Sequence, residues 1–397
     1  MQVTDRARLL ERKVYFRAED CDVADLAALC AVGTDKADWP LAAAVEKDVL
    51  IYDCPALLPR IVDPALARQL AAEWAEALAN GPGVIVLSGA EPDHAMLDAA
   101  SDLFRGLIDR QNRDGTGGGD HFAKPGANDR IWNSLEKHCL ADPANFARYY
   151  ANPFLALVSR AWLGPFYQMT AQLNVVNPGG AAQSPHRDYH LGFQTAEAVA
   201  AYPAHVHRFS PMLTLQGAIA HVDAPIEAGP TLLLPHSQKY APGYLATSQP
   251  GFRAYFDAHA VQLPLRKGDM LFFSPALFHA AGSNRTADVK RMVNLFQVSS
   301  AYGRAMEAID RTAMCKALYP VLLAAQAEGS MTAAQIANAI AACAEGYSFP
   351  TNLDRDPPLG GLAPKSQAAL LAEALAARWA PDALNAALDA QAAKRLP

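Results

Sequence analysis

The chain has 397 residues, room for two or three domains or for one large domain with extensions. Hydrophobic residues are 51% and charged residues 19%, which supplies a sizeable core and excludes a wholly disordered chain. With 34 basic against 40 acidic groups the net charge is -6, so nucleic acid is not the default partner.

The opening residues MQVTDRARLLERK are charged and carry no apolar segment, which argues against a secretory leader. No apolar run reaches the roughly 18–20 residues of a membrane span. A cytoplasmic protein with no membrane partner is expected. Cys21, Cys30, Cys54, Cys139, Cys315 and Cys343 form no CxxC pair and read as free thiols rather than disulfides or zinc ligands.

In chain order, VLIYDCPALL (49–58) reads as a strand ending near Pro59. Asp63 can cap and Pro64 can open a helix that ends near Gly81. VIVLSG (84–89) is a short buried strand, and HAMLDAASDLFRGLIDRQ (94–111) is a helix. It runs into the Gly-rich DGTGGGDHF (114–122), which lacks the pattern of a phosphate-binding loop. From about 146 to 300 Pro, Gly and aromatic residues become frequent. YQMTAQLNVV (167–176), MLTLQGAIAHV (212–222), TLLLPHS (231–237), AVQLPL (260–265), DMLFFS (269–274) and MVNLFQVSS (292–300) all read as strands. Strand seeds at this density predict an all-β sandwich or barrel core rather than βαβ units. Helical periodicity returns over 304–325, 332–344, 367–380 and 382–395, with an irregular connection at 347–366. The expected division is 1–120, helices and strands packing on the core; 121–303, the β core; and 304–397, a helical extension that is a candidate lid or homodimer surface.

The most informative stretch is QSPHRDYHLGF (183–193). His186 and Asp188 are two apart, so on a strand they point the same way. An imidazole and a carboxylate can then converge on one metal ion. The candidate third ligand is His279, which follows the apolar strand DMLFF and a Pro-containing turn. Two histidines and one carboxylate make the facial set of non-haem Fe(II) oxygenases. HxD by itself is also what an ordinary polar loop with a His–Asp hydrogen bond looks like. Arg187, between the two, should point away from the metal, toward a co-substrate or a surface acid.

These residues, in a β-rich setting, resemble the phytanoyl-CoA dioxygenase family of Fe(II)/2-oxoglutarate-dependent oxygenases. The resemblance covers about 120–303. It implies a double-stranded β-helix (jelly-roll, cupin-like) core, mainly β, with N-terminal α/β elements and a C-terminal helical extension. It implies Fe(II) held by His186, Asp188 and His279, with 2-oxoglutarate and molecular oxygen as co-substrates. The family carries an Arg about eleven residues after the distal His, for the far carboxylate of 2-oxoglutarate. Here Arg291 stands twelve on, with Lys290 at eleven and Arg285 at six, and Arg291 is the assigned residue. An arginine fork suits a carboxylate better than an ammonium does.

EAGPTLLLPHSQKY (227–240) resembles the family stretch that ends in PGSH, but here His236, Ser237 and Gln238 replace Gly-Ser-His. The family's small hydroxyl after the distal His is absent, because that position is Ala281. Asp188 favours hydroxylation or another oxidation over halogenation. The expected reaction is hydroxylation of an unactivated C–H of a small metabolite with release of succinate and CO2.

Further candidates carry competing readings. Lys124, beside His121 after the Gly-rich loop, is a 2-oxoglutarate contact or a solvated lysine. Gln172 and Asn174 contact the co-substrate or bond within the core. His205 and His207 form HxH without a nearby Glu. His190, Tyr189 and Phe193 line a pocket or simply pack. Arg208, Arg253 and Tyr255 are candidate anion contacts for the substrate. Two other functions stay open: a cupin-like metal-dependent isomerase or dioxygenase without 2-oxoglutarate, and a catalytically silent binding or assembly protein.

Overall fold

The computed structural model describes residues 3–115 and 127–397. The chain divides into two compact units. The first takes residues up to Pro92, a stretch ending at Arg130, and Asn174–Leu295. The second takes a stretch opening at Asp93, then Ile131–Leu173 and Phe296–Pro397.

The strands in chain order are β1 (Ala44–Glu46), β2 (Val49–Asp53), β3 (Val84–Ser88), β4 (Asn128–Ile131), β5 (Gln168–Val176), β6 (Thr214–Ala220), β7 (Leu232–Leu234), β8 (Met270–Phe273), β9 (Phe278–Ala280) and β10 (Arg291–Ser299). An 8-stranded sheet has the order β1-β2-β3-β8-β6-β10-β5-β4, and β7 and β9 form a separate 2-stranded sheet.

In the first unit, β2 and β3 run parallel with Leu50 opposite Ile85. A parallel pair needs a crossover, and the helix Pro64–Ala79 supplies it. Asp63 accepts a hydrogen bond from the Ala65 N–H and Pro64 opens the first turn. The helix buries Leu70, Trp74, Ala77 and Leu78, spaced for one face. Trp74 meets Tyr52 of β2 edge-on, with ring centroids 5.7 Å apart. β3 pairs antiparallel with β8, and β8 with β6. Val84, Val86, Leu271 and Phe273 from these strands share one core cluster with Leu233 and Leu263. Each such side chain contributes roughly 1.5–3 kcal/mol by leaving water. β7 and β9 run antiparallel, Leu233 opposite His279, which sets the distal histidine on a strand with both neighbours buried.

The second unit carries the helices His94–Arg113, Ser134–Ala141, Pro143–Tyr150, Pro153–Leu163, Arg311–Glu328, Ala333–Cys343, Gln367–Ala376 and Pro381–Arg395. Thr332 and Gln335 close a capping box at the start of Ala333–Cys343. The buried Arg311 donates to the carbonyls of Met169, Ala342 and Cys343, so it ties a strand to the C-terminal end of that helix. All six cysteines are free. No helix among the described residues is long and apolar enough to cross a membrane.

The expected mainly β, double-stranded β-helix or jelly-roll core is not what the chain forms. Helices account for about 48% of the described residues, and among these neither sheet closes into a barrel, so the fold is mixed α/β. Four local features explain the difference. The segment from 143 to 163 is Pro- and aromatic-rich, but each proline stands at the start of a helix behind a capping Asp142 or Asn152. Short helices at Ala196–Ala200, Ala204–Phe209 and Pro250–His259 lie between the strand seeds. The expected strand at 260–265 is reduced to single bridges, Val261 to Leu233 and Leu265 to Ala224. Likewise the strand expected over 49–58 stops at Asp53, whose side chain caps the turn Cys54–Leu57.

Candidate metal centre

His186 and His279 sit opposite each other in an isolated antiparallel bridge. Each backbone N–H donates to the other's carbonyl, at 3.0 and 3.2 Å. Directly opposed residues project to the same face, and the two rings lie 4.4 Å apart. Asp188 follows two residues on, anchored by its N–H to the Pro275 carbonyl at 3.2 Å. Its carboxylate lies 3.2 Å from His279 Nε2 and 3.6 Å from His186 Nε2. One donor atom from each residue falls within 4.8 Å of the others.

The histidine tautomers follow from local bonds. His186 Nδ1 faces the Ser184 carbonyl at 2.9 Å and His279 Nδ1 faces the Leu277 carbonyl at 2.9 Å. Carbonyls only accept, so both Nδ1 atoms carry a proton, and Nε2 is the nitrogen left to give its lone pair to a metal once it sheds its own proton. Two Nε2 acceptors and a carboxylate are a donor set that suits a divalent transition metal. Burial opposes ionisation of Asp188, but the two imidazoles and the Gln216 amide outweigh it and hold the carboxyl well below its ordinary range. Burial, followed by the neighbouring His279, lowers the His186 pKa.

Gln216, on β6, is the residue that sequence reasoning missed. Its amide donates to Asp188 Oδ2 and lies 3.5 Å from His279 Nε2. The one signal for it was a single amide side chain in the otherwise apolar run TLQGAIA.

The three cations after His279 separate by burial. Arg285 and Lys290 are exposed, whereas Arg291, first residue of β10, is 4% exposed. Burial lowers its pKa to about 10, and its Nε has no hydrogen-bond partner among the described residues. Asn174 of β5 is buried in the same unit, and its Oδ1 also lacks a partner among the described residues. Gln172 belongs to the other unit, where its amide reaches Met306 Sδ at 3.9 Å. Lys124 and His121 lie outside the described residues.

The remaining candidates do not join the triad. His207 is buried on a short helix, bonded to the Val199 carbonyl and edge-on to Phe16, while His205 is exposed. His190 contacts Ser210 Oγ at 3.4 Å. Tyr189 is buried, with Phe193 edge-on to it at 6.1 Å. Arg208 and Arg253 are exposed, and Tyr255 stacks on His259. His236 bridges Thr34 Oγ1 and Lys239 Nζ, at 3.0 and 2.9 Å.

This arrangement defines the class of two-histidine, one-carboxylate metal proteins. A family model described as phytanoyl-CoA dioxygenase (PhyH) matches residues 64–292, more than half of the chain. The chain belongs to this family of Fe(II)/2-oxoglutarate-dependent enzymes, and it carries a His-Asp-His metal triad. No curated protein matches the sequence. Among solved structures, the epimerase SnoN, in complex with Fe3+, alpha ketoglutarate and nogalamycin RO, is 19% identical. The match covers 60% of this chain and 85% of that one, with a TM-score of 0.40. The non-heme alpha ketoglutarate dependent carbocyclase SnoK from nogalamycin biosynthesis is 16% identical, with 59% and 86% covered and a TM-score of 0.42.

Proposed function

We propose that the protein is an Fe(II)- and 2-oxoglutarate-dependent oxygenase that hydroxylates an unactivated C–H of a small metabolite. The observation that carries this reading is the convergence of the His186 and His279 Nε2 atoms on the Asp188 carboxylate. Bound Fe(II) with 2-oxoglutarate and O2 supplies the oxidation, giving hydroxylated product, succinate and CO2. The chain's own part is placement. His186, Asp188 and His279 hold the metal, with both imidazoles fixed in the Nδ1–H tautomer by the Ser184 and Leu277 carbonyls. Gln216 orients Asp188 through its amide. Arg291, a buried cation with an unused Nε–H, receives the far carboxylate of 2-oxoglutarate. Its burial keeps water from competing for that carboxylate. Asn174 is a further co-substrate contact on the same grounds.

Anaerobic addition of Fe(II) and 2-oxoglutarate should produce a visible charge-transfer absorption band, and Asp188→Ala should abolish it. Arg291→Met should keep metal binding and weaken 2-oxoglutarate binding about 10- to 100-fold, the worth of one charged hydrogen bond. In air, substrate turnover should release succinate and add one oxygen to the product. A purified protein that binds neither metal nor 2-oxoglutarate would remove the proposal.

A further inference from the structure

Arg187 stands between two members of the triad, yet its guanidinium meets backbone carbonyls and aromatic rings and, among the described residues, forms no ion pair with a carboxylate. It is 3% exposed. Its Nη2 donates to the Ser237 and Tyr240 carbonyls, both at 2.8 Å. The guanidinium carbon lies 5.1 Å from the centre of the Tyr244 ring and 5.0 Å from that of Phe278. The arginine is therefore held between two aromatic faces and two backbone oxygens.

Two glycines make room for it. A Cβ on Gly243 would come within 2.1 Å of the guanidinium carbon, and one on Gly192 within 2.1 Å of the Arg187 carbonyl oxygen. Gly192 also closes a sharp turn, its N–H donating to the Tyr189 carbonyl at 2.8 Å. That turn puts Tyr189 and His190 at positive φ, 63° and 46°, directly after Asp188. Non-glycine residues hold such conformations only where their surroundings over-determine them.

The socket reaches the third ligand as well. Ser237, whose carbonyl receives Arg187, accepts the Phe278 N–H on its Oγ at 2.8 Å and donates that hydroxyl to the Leu234 carbonyl at 2.6 Å. Phe278, one of the two aromatic faces, immediately precedes His279. One side chain thus touches the segment that carries His186 and Asp188, the 237–244 segment, and the strand that carries His279. A buried cation without a carboxylate partner is costly, and an apolar side chain of similar volume would fill the space at lower cost.

We infer that Arg187 is a positioning residue, which sets the separation between the His186–Asp188 pair and His279 from behind the metal face. The inference rests on the reading that these three residues hold a metal. Residues that orient metal ligands typically change affinity 10- to 100-fold when removed.

The test is anaerobic Co(II) titration of the full chain, followed by the visible d–d bands of the bound ion, beside thermal melting. Arg187→Met should weaken Co(II) binding about 10- to 100-fold and shift the bands. Gly243→Ala should do the same, because it displaces the guanidinium without deleting it. Arg187→Lys keeps a buried cation and is the deciding variant if either of the others fails to fold. It should be folded and still bind Co(II) more weakly than the parent, because an ammonium lacks the planar group that fits between the rings. Folded Arg187→Lys with parental affinity and bands would overturn the inference, whatever its melting temperature. A parent chain that binds no Co(II) at all would instead remove the triad reading and this inference with it.

Discussion

A neutral imidazole enclosed by aromatic rings makes a protein sensitive to acid, and the second unit contains one. His138 is fully buried, edge-on to Phe104, Phe146 and Tyr149. Its Nε2 donates to Asn145 Oδ1 at 2.8 Å, because the Asn145 amide nitrogen is already committed to the Met96 carbonyl. Burial pulls the ring's pKa down to about 4, against smaller upward pulls from Asn145 and Asp142. Below about pH 6.5 the unfolded ring takes up a proton that the folded ring refuses. Stability should therefore fall as pH drops from about 6.5 toward 4, by up to about 3 kcal/mol, and level off below that. His138→Gln should flatten that part of the profile, read as the urea midpoint against pH. At the same scale, the convergence of His186, Asp188 and His279 was legible because an HxD spacing and a histidine after a strong strand each imply geometry. Among Arg285, Lys290 and Arg291, the family spacing of about eleven falls nearest Lys290 and Arg291, and Arg291 is favoured by its guanidinium fork and its place on the strand; of the three it is the buried one. Gln216 and the socket of Arg187 were hidden, since their partners are distant in sequence: Gln216 is 28 residues from Asp188, and Arg187 is 50 from Ser237.

At the scale of elements, capping residues located helices well, but only where they were read as caps. Asp63 and Pro64 identified Pro64–Ala79 at once. The same signature at Asp142-Pro143 and Asn152-Pro153 was absorbed into a β-rich texture, and this error carried the fold class with it. Asn152 is the stronger case, because its buried Oδ1 accepts from both the Phe154 and Leu155 N–H groups, at 3.0 and 3.1 Å. Removing it strands two donors away from water. Asn152→Ala should lower stability by about 2 kcal/mol, with an unchanged denaturant slope. Asn152→Asp should retain most of the stability, since a carboxylate oxygen accepts the same pair and favours the helix N-terminus. A loss under about 0.5 kcal/mol for the alanine variant would mean the helix start is held by its apolar face alone.

For the whole molecule, the order of segments matters more than their content. The second unit is assembled from stretches far apart in sequence, so neither unit is a continuous piece of chain. The late helices complete the earlier ones. Asn338 donates to the Ala151 carbonyl and accepts from Arg160, both at 3.2 Å. Cys139 Sγ donates to the Met314 carbonyl at 3.6 Å, and Arg311 reaches Met169 at 2.8 Å. Leu318, Tyr319, Leu322 and Ala339, all fully buried, come from the same late segment. Deleting residues 304–397 should therefore not leave a trimmed, working core. The apolar faces of Ser134–Ala141, Pro143–Tyr150 and Pro153–Leu163 would be exposed together, an area well beyond what a folded chain leaves uncovered. The expected outcome is binding of a hydrophobic dye, loss of near-ultraviolet circular dichroism, and a fall in helical signal larger than the deleted helices account for. A truncated chain that melts sharply and still binds Co(II) would mean that the metal site forms without the late helices.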